Sequence, residues 1–265
     1  MVVSATSDGA ARFDLQTVIN RAAATLRAHG PALVLGGLLM IGGTMAACRF
    51  LERTFLADLT AADAGGLHWR VFAAAELQGF VEGVAGALVT AWVALVVIAD
   101  QTDPTTADPR AALGQVFRRA LPITILSVLL QLAILFGFIL VIVPGLMVAL
   151  GCVVATPVQV VEGRSPFQSL SRSWRLTQNH RGGVFALMLI WSVPLVIVEF
   201  ILAKLFGGGA SFARALQTPV MSLAVLPILS ALAEIASAAG IASAYVELVT
   251  IKEGGFVSSI GEVFA

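Results

Sequence analysis

The sequence predicts an all-α polytopic membrane protein with six transmembrane helices, and three observations lead to this prediction. Of its 265 residues, 58% are hydrophobic and only 12% are charged, whereas soluble domains average about 25% charged residues. Its mean hydropathy is +0.93. The apolar residues gather in runs of about 20, the length that a helix needs to cross ~30 Å of hydrocarbon. Because so many apolar side chains must face lipid, we expect a single integral membrane domain over residues 1–265.

Six apolar runs are long enough to span the bilayer. The third and fourth come from one stretch, Leu121–Val161, that contains neither a charged residue nor a histidine. As a single helix this stretch would be about 60 Å long, twice the thickness of the hydrocarbon core. It must therefore fold back, and Pro144-Gly145 is the best turn within it. A kink is expected near Pro227 in the sixth run. The predicted spans are 29–48, 79–99, 121–143, 145–162, 182–204 and 220–248.

A basic, aromatic-bearing segment, SPFQSLSRSWRLTQNHR, lies between the fourth and fifth spans. On a helix its apolar side chains share one face and its polar side chains lie opposite. The apolar face consists of Phe167, Leu170 and Trp174. The polar face consists of Gln168, Arg172 and Arg175. This pattern is typical of an amphipathic helix at the membrane surface, with aromatic rings among the headgroups and arginines near lipid phosphate. Similar patterns predict interfacial helices at 13–28, 108–119 and 165–177.

Each interfacial helix runs into a pair of spans, which suggests a threefold pseudo-repeat of one surface helix and one hairpin. Six spans place both termini on the same side of the membrane. That side carries eleven of the sixteen basic residues: Arg12, Arg21, Arg27, Arg110, Arg118, Arg119, Arg164, Arg172, Arg175, Arg181 and Lys252. The opposite side carries five: Arg49, Arg53, Arg70, Lys204 and Arg214. Since cytoplasmic loops are rich in Lys and Arg, we expect both termini in the cytoplasm and the protein in the cytoplasmic (inner) membrane.

Several segments in order resemble a known bacterial membrane family. They are FDLQTVINRAAATLRAHGPALV at the N-terminus, Arg-Ala-Leu-Pro before the third span, VPGL, PVQVVEG and SLSRSWRLTQNHRGGVF. The family includes the membrane domain attached to some glycerophosphoryl diester phosphodiesterases and related small six-span proteins of uncharacterised function. The resemblance is strongest over Arg119–Phe185 and implies a six-span cytoplasmic-membrane protein. Phosphodiesterase chemistry in that family belongs to a separate soluble barrel, so the resemblance implies no catalytic activity here.

Acidic residues inside predicted spans are the first set of candidate site residues, because ionisable groups in a membrane are costly and often functional. Glu82, Glu199 and Glu234 form this set. Each could be hydrogen-bonded to a neighbouring helix, line a cation or proton pathway, or contact a lipid or substrate. Glu162 ends the fourth span, where we expect a structural ion pair with Arg164, Arg172 or Arg175, or with the Arg118-Arg119 pair.

Basic and aromatic residues of the surface helices are the second set. The candidates for binding lipid headgroups are Arg118, Arg119, Arg172, Trp174 and Arg175, although these helices could also serve only to collar the bundle. The sequence has no HExxH zinc motif, no Cys/His cluster and no P-loop, so we expect no enzyme activity, metal or cofactor. The scattered basic residues also argue against nucleic-acid binding.

These observations favour a non-enzymatic membrane protein that associates with anionic lipid or acts as an envelope accessory protein, with a membrane or soluble protein partner left open. The alternative is a small transporter or channel that uses the intramembrane glutamates. A transporter should bring these glutamates to one accessible cavity, whereas an accessory protein should bury them against helices or place them at the span ends.

The charge count makes a direct prediction about topology. A reporter that works only in the cytoplasm should be active when it is fused after Ala265. A reporter that works only after export should be inactive at the same position, because loops rich in Lys and Arg stay in the cytoplasm. The opposite pair of results would reverse the predicted orientation. External labelling of a cysteine placed at Ser165 or Ser169 would contradict it as well.

Overall fold

The computed structural model describes residues 13–51, 69–103, 107–206 and 220–254. Within these ranges 92% of the residues are helical and none forms a strand. Six helices in this part of the chain are long and apolar enough to span a membrane, which confirms the predicted fold class. Three basic residues of the charge count, Arg12, Arg53 and Arg214, lie outside the described residues.

The helices follow the order of the predicted spans. They are α1 (Leu15–Gly37), α2 (Gly43–Leu51), α3 (Trp69–Thr102), α4 (Pro109–Arg118), α5 (Ala120–Leu140), α6 (Ile142–Cys152), α7 (Ala155–Glu162), α8 (Pro166–Thr177), α9 (Arg181–Phe206) and α10 (Leu226–Glu253). A π-helical turn at Leu38–Gly42 joins α1 to α2 without interruption. A second π-helical turn, Met221–Val225, leads into α10 just before Pro227, the residue at which a kink was expected.

Helix α3 lies at the centre of the bundle. In its C-terminal half, all residues from Val89 to Ile98 are buried. The helix packs against α1, α5, α7 and α10. Helix α9 is at the other extreme: 11% of its most apolar stretch is buried, compared with 61% for α3. Since a helix that is apolar on all sides must lie in a core or face lipid, α3 forms the core and α9 presents its outer surface to the bilayer.

The third and fourth spans form a hairpin, but its turn lies at Val141 and not at Pro144-Gly145 as predicted. Val141 is extended (φ −169°, ψ 155°), and α6 begins at the next residue. Pro144 falls in the first turn of α6, where its missing N–H needs no intrahelical partner. The predicted spans 121–143 and 145–162 therefore become Ala120–Leu140 and Ile142–Glu162.

Contacts at both ends of this hairpin show that its two spans run antiparallel. Near the turn, Gly137 and Gly145 approach so closely that a Cβ on Gly137 would lie 2.7 Å from the Cα of Gly145. At the far end, Gln159 Nε2 donates to the Pro122 carbonyl at 2.9 Å. The two glycines explain the tight turn, because only residues without a side chain allow backbones to meet at that distance.

The first interfacial segment, predicted as a separate helix at 13–28, instead continues into the first span. Residues Leu15–Leu51 form one helix that passes through Pro31. Asp14 caps its start by accepting a hydrogen bond from Gln16 N at 3.0 Å. Buried positions Val18, Ala22, Thr25 and Leu33 form one stripe across the expected boundary. Because this stripe packs continuously against α3 and α10, tertiary packing favours a single helix.

The other two interfacial segments are separate helices with nearly the predicted bounds. Asp108 caps α4 by accepting from Arg110 N at 2.9 Å, and Arg119 (φ −108°, ψ 16°) separates α4 from α5. Ser165 and Gln168 form a capping box at the start of α8, with Pro166 as its first residue. Gly163, in the left-handed conformation (φ 64°), ends α7 and turns the chain towards α8. Two short surface helices thus flank the hairpin α5–α7.

The close approach within the hairpin predicts the effect of adding a single methyl group. Gly137→Ala should lower the free energy of unfolding in detergent by about 1–3 kcal/mol. The new Cβ would meet backbone atoms of Gly145, which cannot move aside as a flexible side chain can. Gly43→Ala is the matched control. It is also a helical glycine, but a Cβ there has nothing within 4 Å, so stability should stay the same or rise by about 0.5–1 kcal/mol. Equal effects of the two substitutions on the unfolding temperature would contradict the hairpin packing.

Candidate functional site

Carboxylates mark the ends of the second, fourth and sixth spans, which lie at the same membrane face because the spans alternate in direction. Asp100 ends α3, Glu162 ends α7, and Glu247 and Glu253 lie in the last two turns of α10. Each has a basic or hydroxyl partner from a segment that precedes a span. We call these four carboxylates and their partners Arg21, Thr25, His29, Arg164, Arg172 and Tyr245 the ion-pair layer.

The N-terminal half of α1 supplies one side of the ion-pair layer. Arg21 Nη1 lies 2.8 Å from Glu247 Oε2. Thr25 Oγ1 donates to Asp100 Oδ2 at 2.7 Å, and His29 Nε2 lies 3.3 Å from Asp100 Oδ1. Arg21, Thr25 and His29 are spaced one helical turn apart, so they share one face of α1. This face therefore connects the ends of α3 and α10.

Glu162 is the centre of the other side. Its carboxylate accepts from Arg164 Nε, from Arg172 Nε at 3.2 Å and from the Tyr245 hydroxyl at 3.1 Å. Tyr245 lies in α10 and is 2% exposed. The expected structural pair of Glu162 thus involves Arg164 and Arg172 rather than Arg175. A half-buried carboxylate with three donors is well satisfied, and it joins α7, α8 and α10.

Arg172 bridges two carboxylates. Besides Glu162 it binds Glu253 through Nη2, and its side chain is 17% exposed. Burial alone would lower the pKa of Arg172, but the hydrogen bonds and negative charges of Glu253 and Glu162 outweigh burial and raise this pKa above its ordinary value. Arg172, which was expected on the outward basic face of α8, therefore turns inward and stays charged.

Helix α8 packs on the bundle through a third face that the amphipathic pattern did not identify. Ser169, Ser173, Leu176 and Thr177 are buried there. Ser173 Oγ and Thr177 Oγ1 both donate to the Gly151 carbonyl, at 2.9 and 3.2 Å. Lys252 Nζ donates to the carbonyls of Arg175 and Gln178, each at 3.1 Å, at the end of the helix. Small hydroxyl side chains thus allow α8 to lie close against α6.

The aromatic residues of α8 remain at the surface. Phe167 is 70% exposed and Trp174 is 37% exposed. The Trp174 ring lies against Gly151, where a Cβ would be only 2.2 Å from the ring. Arg181 lies over the same ring, 4.1 Å from its centroid, within the range of a cation–π contact. These two contacts hold the indole in place while part of it stays exposed.

The remaining headgroup candidates lie at the same membrane face. Arg118, Arg119 and Arg175 are all exposed. Arg119 Nη1 donates to the Val160 carbonyl at 3.0 Å, which holds its guanidinium at the end of the α5–α7 hairpin. His180 follows α8, and burial together with the positive charge of Lys252 lowers its pKa below the ordinary value. The outer surface of this end therefore carries several basic side chains, although two acids, Asp108 and Glu253, are exposed there as well.

The three intramembrane glutamates do not meet in one place. Glu234 accepts from Thr90 Oγ1 at 2.9 Å and lies against Gly86 of α3. Glu82, one turn away from Gly86 on α3, accepts from Gln78 Nε2 at 2.6 Å on its own helix. Glu199 is half-buried on α9, and within the described residues it has no hydrogen bond or ion pair. Glu82 thus belongs to α3, Glu234 of α10 packs against α3, and Glu199 lies on α9.

Two cavities accompany these residues, and none of the three glutamates lines either of them. One, of about 230 Å³, is apolar and lies between α9 and α10, with Trp191 and Ser237 at its wall. The other, of about 470 Å³, is a groove at the start of α5, the end of α7 and the start of α8. In the described part of the chain, no group of three or more His, Cys, Asp or Glu side chains could hold a metal ion.

Comparisons of the chain with protein-family models, with curated proteins and with solved structures give no match. The resemblance to the membrane family of the phosphodiesterases therefore stays a prediction.

Sequence reasoning missed several residues of the site. Tyr245 and Glu253 complete the pairing of Glu162 and Arg172, and Gln159 lines the groove. Tyr245 is the chain's one tyrosine, and Gln159 is a buried amide within an apolar run. Their isolation within apolar runs could have marked them as site residues, because a polar group at membrane depth needs a partner. Tyr245 lies 83 positions from Glu162 and Glu253 lies 81 positions from Arg172, and the sequence pattern does not show such distant pairs.

The double pairing of Arg172 predicts its contribution to stability. Arg172→Gln should destabilise the protein by about 1–3 kcal/mol, because both Glu162 and Glu253 lose a charged hydrogen-bond partner. Arg175→Gln removes the same charge from an exposed position of the same helix and should change stability by less than about 0.5 kcal/mol. Thermal unfolding in detergent micelles compares the two. Equal effects would show that the inward pairing of Arg172 contributes little.

Proposed function

We propose that this chain is a non-enzymatic integral protein of the cytoplasmic membrane that associates with anionic lipid through α8. In this proposal it acts in envelope organisation as an accessory protein. The observation that carries it is the outward surface of α8, where Phe167 and Trp174 are exposed beside Arg175 on a helix fixed to the bundle. The coarser statement that this is a multi-pass membrane protein rests on its six spans.

The three faces of α8 support lipid contact. With about 100° of rotation per residue, Phe167 and Trp174 lie on one side of the exposed surface and Gln168 and Arg175 on the other. The hydroxyl face lies against α6. Aromatic rings favour the headgroup zone, and arginine favours anionic phosphate. A helix held in this orientation can place its aromatic side in the membrane and its basic side among the headgroups.

Energetic arguments agree with this orientation. Burying an exposed ring such as Phe167 in the interface stabilises by about 1–3 kcal/mol, and an arginine near an anionic surface adds about 1 kcal/mol. Arg172 of the ion-pair layer and Lys252 fix α8 before lipid binds, since they tie the helix to α7 and α10. Little ordering entropy is then lost when the surface contacts lipid.

The surroundings of the intramembrane glutamates favour this role over the alternative of a transporter or channel. Glu234 is satisfied by Thr90 and packed against a glycine, and Glu82 is satisfied by Gln78. These are contacts that connect helices or stabilise one helix. Glu199 lies on the least buried of the six spans, which is a different helix from those of the other two glutamates. A transport pathway needs such groups to converge on one route, and the proposed accessory role does not.

The depth of α8 in the membrane tests the proposal. A nitroxide attached at Phe167→Cys, with Cys48 and Cys152 replaced by alanine, should be relaxed mainly by oxygen in nanodiscs. The matched label at Arg175→Cys should be relaxed mainly by a water-soluble nickel chelate, because it lies on the basic side of the same helix. The difference should increase with the content of anionic lipid. Equal accessibility of both labels to the nickel chelate would mean that α8 faces water and would remove the basis for lipid association.

A further inference from the structure

The groove at the end of the α5–α7 hairpin has the features of a built binding site. It encloses about 470 Å³ and is bordered by Arg119 and Pro122 of the α5 end, Gln159 of α7, and the Arg164-Ser165 link to α8. Its depth corresponds to the ends of the spans Ala120–Leu140 and Ile142–Glu162. Lipid headgroups occupy this level of a membrane.

Two guanidinium groups give the groove its charge. Arg119 uses Nη1 to bind the Val160 carbonyl, and Arg164 uses Nε to bind Glu162. Each keeps further N–H donors for an anion, since a guanidinium carries five. Glu162 pairs with Arg164 beside the groove, but Arg172 and Tyr245 share its carboxylate. Positive charge therefore prevails at the groove, and forked guanidinium donors suit the oxygens of a phosphate.

Gln159 provides a second, independent indication of a ligand. Its side chain is 4% exposed, and Nε2 donates to the Pro122 carbonyl at 2.9 Å. Because that carbonyl can only accept, the amide nitrogen must face it, and Oε1 is the unpartnered atom of a residue that borders the groove. Oε1 is buried and has no hydrogen-bond partner among the described residues. A buried acceptor without a donor is costly, so the groove calls for a molecule that brings an O–H or N–H group.

The start of α8 contributes little to this recognition. Pro166 has no N–H, and the Ser165 N–H already donates to Gln168 Oε1 at 3.3 Å within the capping box. Specificity therefore rests on the side chains of Arg119, Gln159 and Arg164. Beside the groove, Leu121 (73% exposed) and Ile125 (43% exposed) lie one turn apart on the outer surface of α5. They offer an apolar track that acyl chains could follow from the groove into the bilayer.

We propose that this groove binds a phosphate ester whose substituent carries a hydrogen-bond donor, with the phosphate on Arg119 and Arg164 and the donor on Gln159 Oε1. A phospholipid headgroup with an ammonium or hydroxyl group has this chemistry, and so does a free phosphate ester. The inference extends the proposed lipid association by naming the headgroup class. It rests on different residues from the outward face of α8, so the two proposals can fail separately.

Native mass spectrometry of the full chain in mild detergent tests the donor requirement without any substitution. Phosphatidylethanolamine and phosphatidylcholine have the same phosphate and the same net charge, but only the ethanolamine group has N–H donors. The protein should bind phosphatidylethanolamine about tenfold more tightly, because only that lipid satisfies Gln159 Oε1. Gln159→Met should bring this ratio close to one. Equal binding of the two lipids by the unaltered protein would overturn the proposal and leave water as the partner of Gln159.

A matched pair of variants tests the phosphate contact. Arg119→Gln and Arg164→Gln should each weaken phosphatidylethanolamine and phosphatidylglycerol binding about tenfold, as expected for loss of a charged hydrogen bond. Arg118→Gln removes the same charge from the neighbouring exposed position, which does not line the groove, and should have less than a twofold effect. Equal effects of the Arg118 and Arg119 substitutions would show that binding depends only on overall charge, which contradicts the assigned site.

A soluble probe distinguishes the two sources of the ligand. Glycerol 3-phosphate added in excess should fail to displace the bound lipid if the acyl chains contribute along Leu121 and Ile125. If it does displace lipid, and Arg119→Gln abolishes that displacement, the groove takes free phosphate esters, which supports the assigned chemistry with a soluble source. The label at Phe167 reports separately on α8, so loss of membrane contact there would not be mistaken for an empty groove.

Discussion

The structure depends on the pairing of carboxylates at one end of its spans. Asp100, Glu162, Glu247 and Glu253 lie at or near the ends of α3, α7 and α10, where an unpaired charge beside hydrocarbon would be costly. Residues from the segments that precede the spans supply the partners: α1 reaches Asp100 and Glu247, and the link and helix after α7 reach Glu162 and Glu253. The ion-pair layer thus ties neighbouring hairpins together at one membrane face, while apolar packing around α3 holds the rest.

The same pairing positions the surfaces from which function is inferred. Glu162 holds Arg164 at the edge of the groove, and it holds Arg172 on the side of α8 that faces the bundle. Because Arg172 and the hydroxyl face of α8 are directed inward, Phe167, Trp174 and Arg175 are left outward. One carboxylate therefore determines both the orientation of the surface helix and the charge of the neighbouring groove. A basic, aromatic-bearing segment between two apolar runs is explained in this way: part of it is structural, and part of it remains free to contact lipid.

Elements governed by length and hydropathy could be predicted from the sequence, and elements governed by distant partners could not. The six spans and the bounds of α4 and α8 follow from apolar runs, caps and prolines. The hairpin turn was placed three residues too late, because Pro144 is as acceptable in the first turn of a helix as in a loop. The continuity of α1 across residue 28 depends on packing against α3 and α10. Glu162 could be recognised as half of an ion pair, but Tyr245 and Glu253 are more than 80 positions away.

The central claim is that Arg172, bridging Glu162 and Glu253, holds α8 on the bundle. A double-mutant cycle with Arg172→Gln and Glu253→Gln, read by hydrogen–deuterium exchange of the Pro166–Thr177 amides in nanodiscs, tests it most directly. Each single substitution should speed exchange in α8, and the double variant should exchange no faster than Arg172→Gln alone, because both changes remove the same bridge. Additive effects, or exchange that is unchanged in all three variants, would contradict the claim. The hydrogen bonds from Ser173 and Thr177 to the Gly151 carbonyl would then be the contacts that hold the helix.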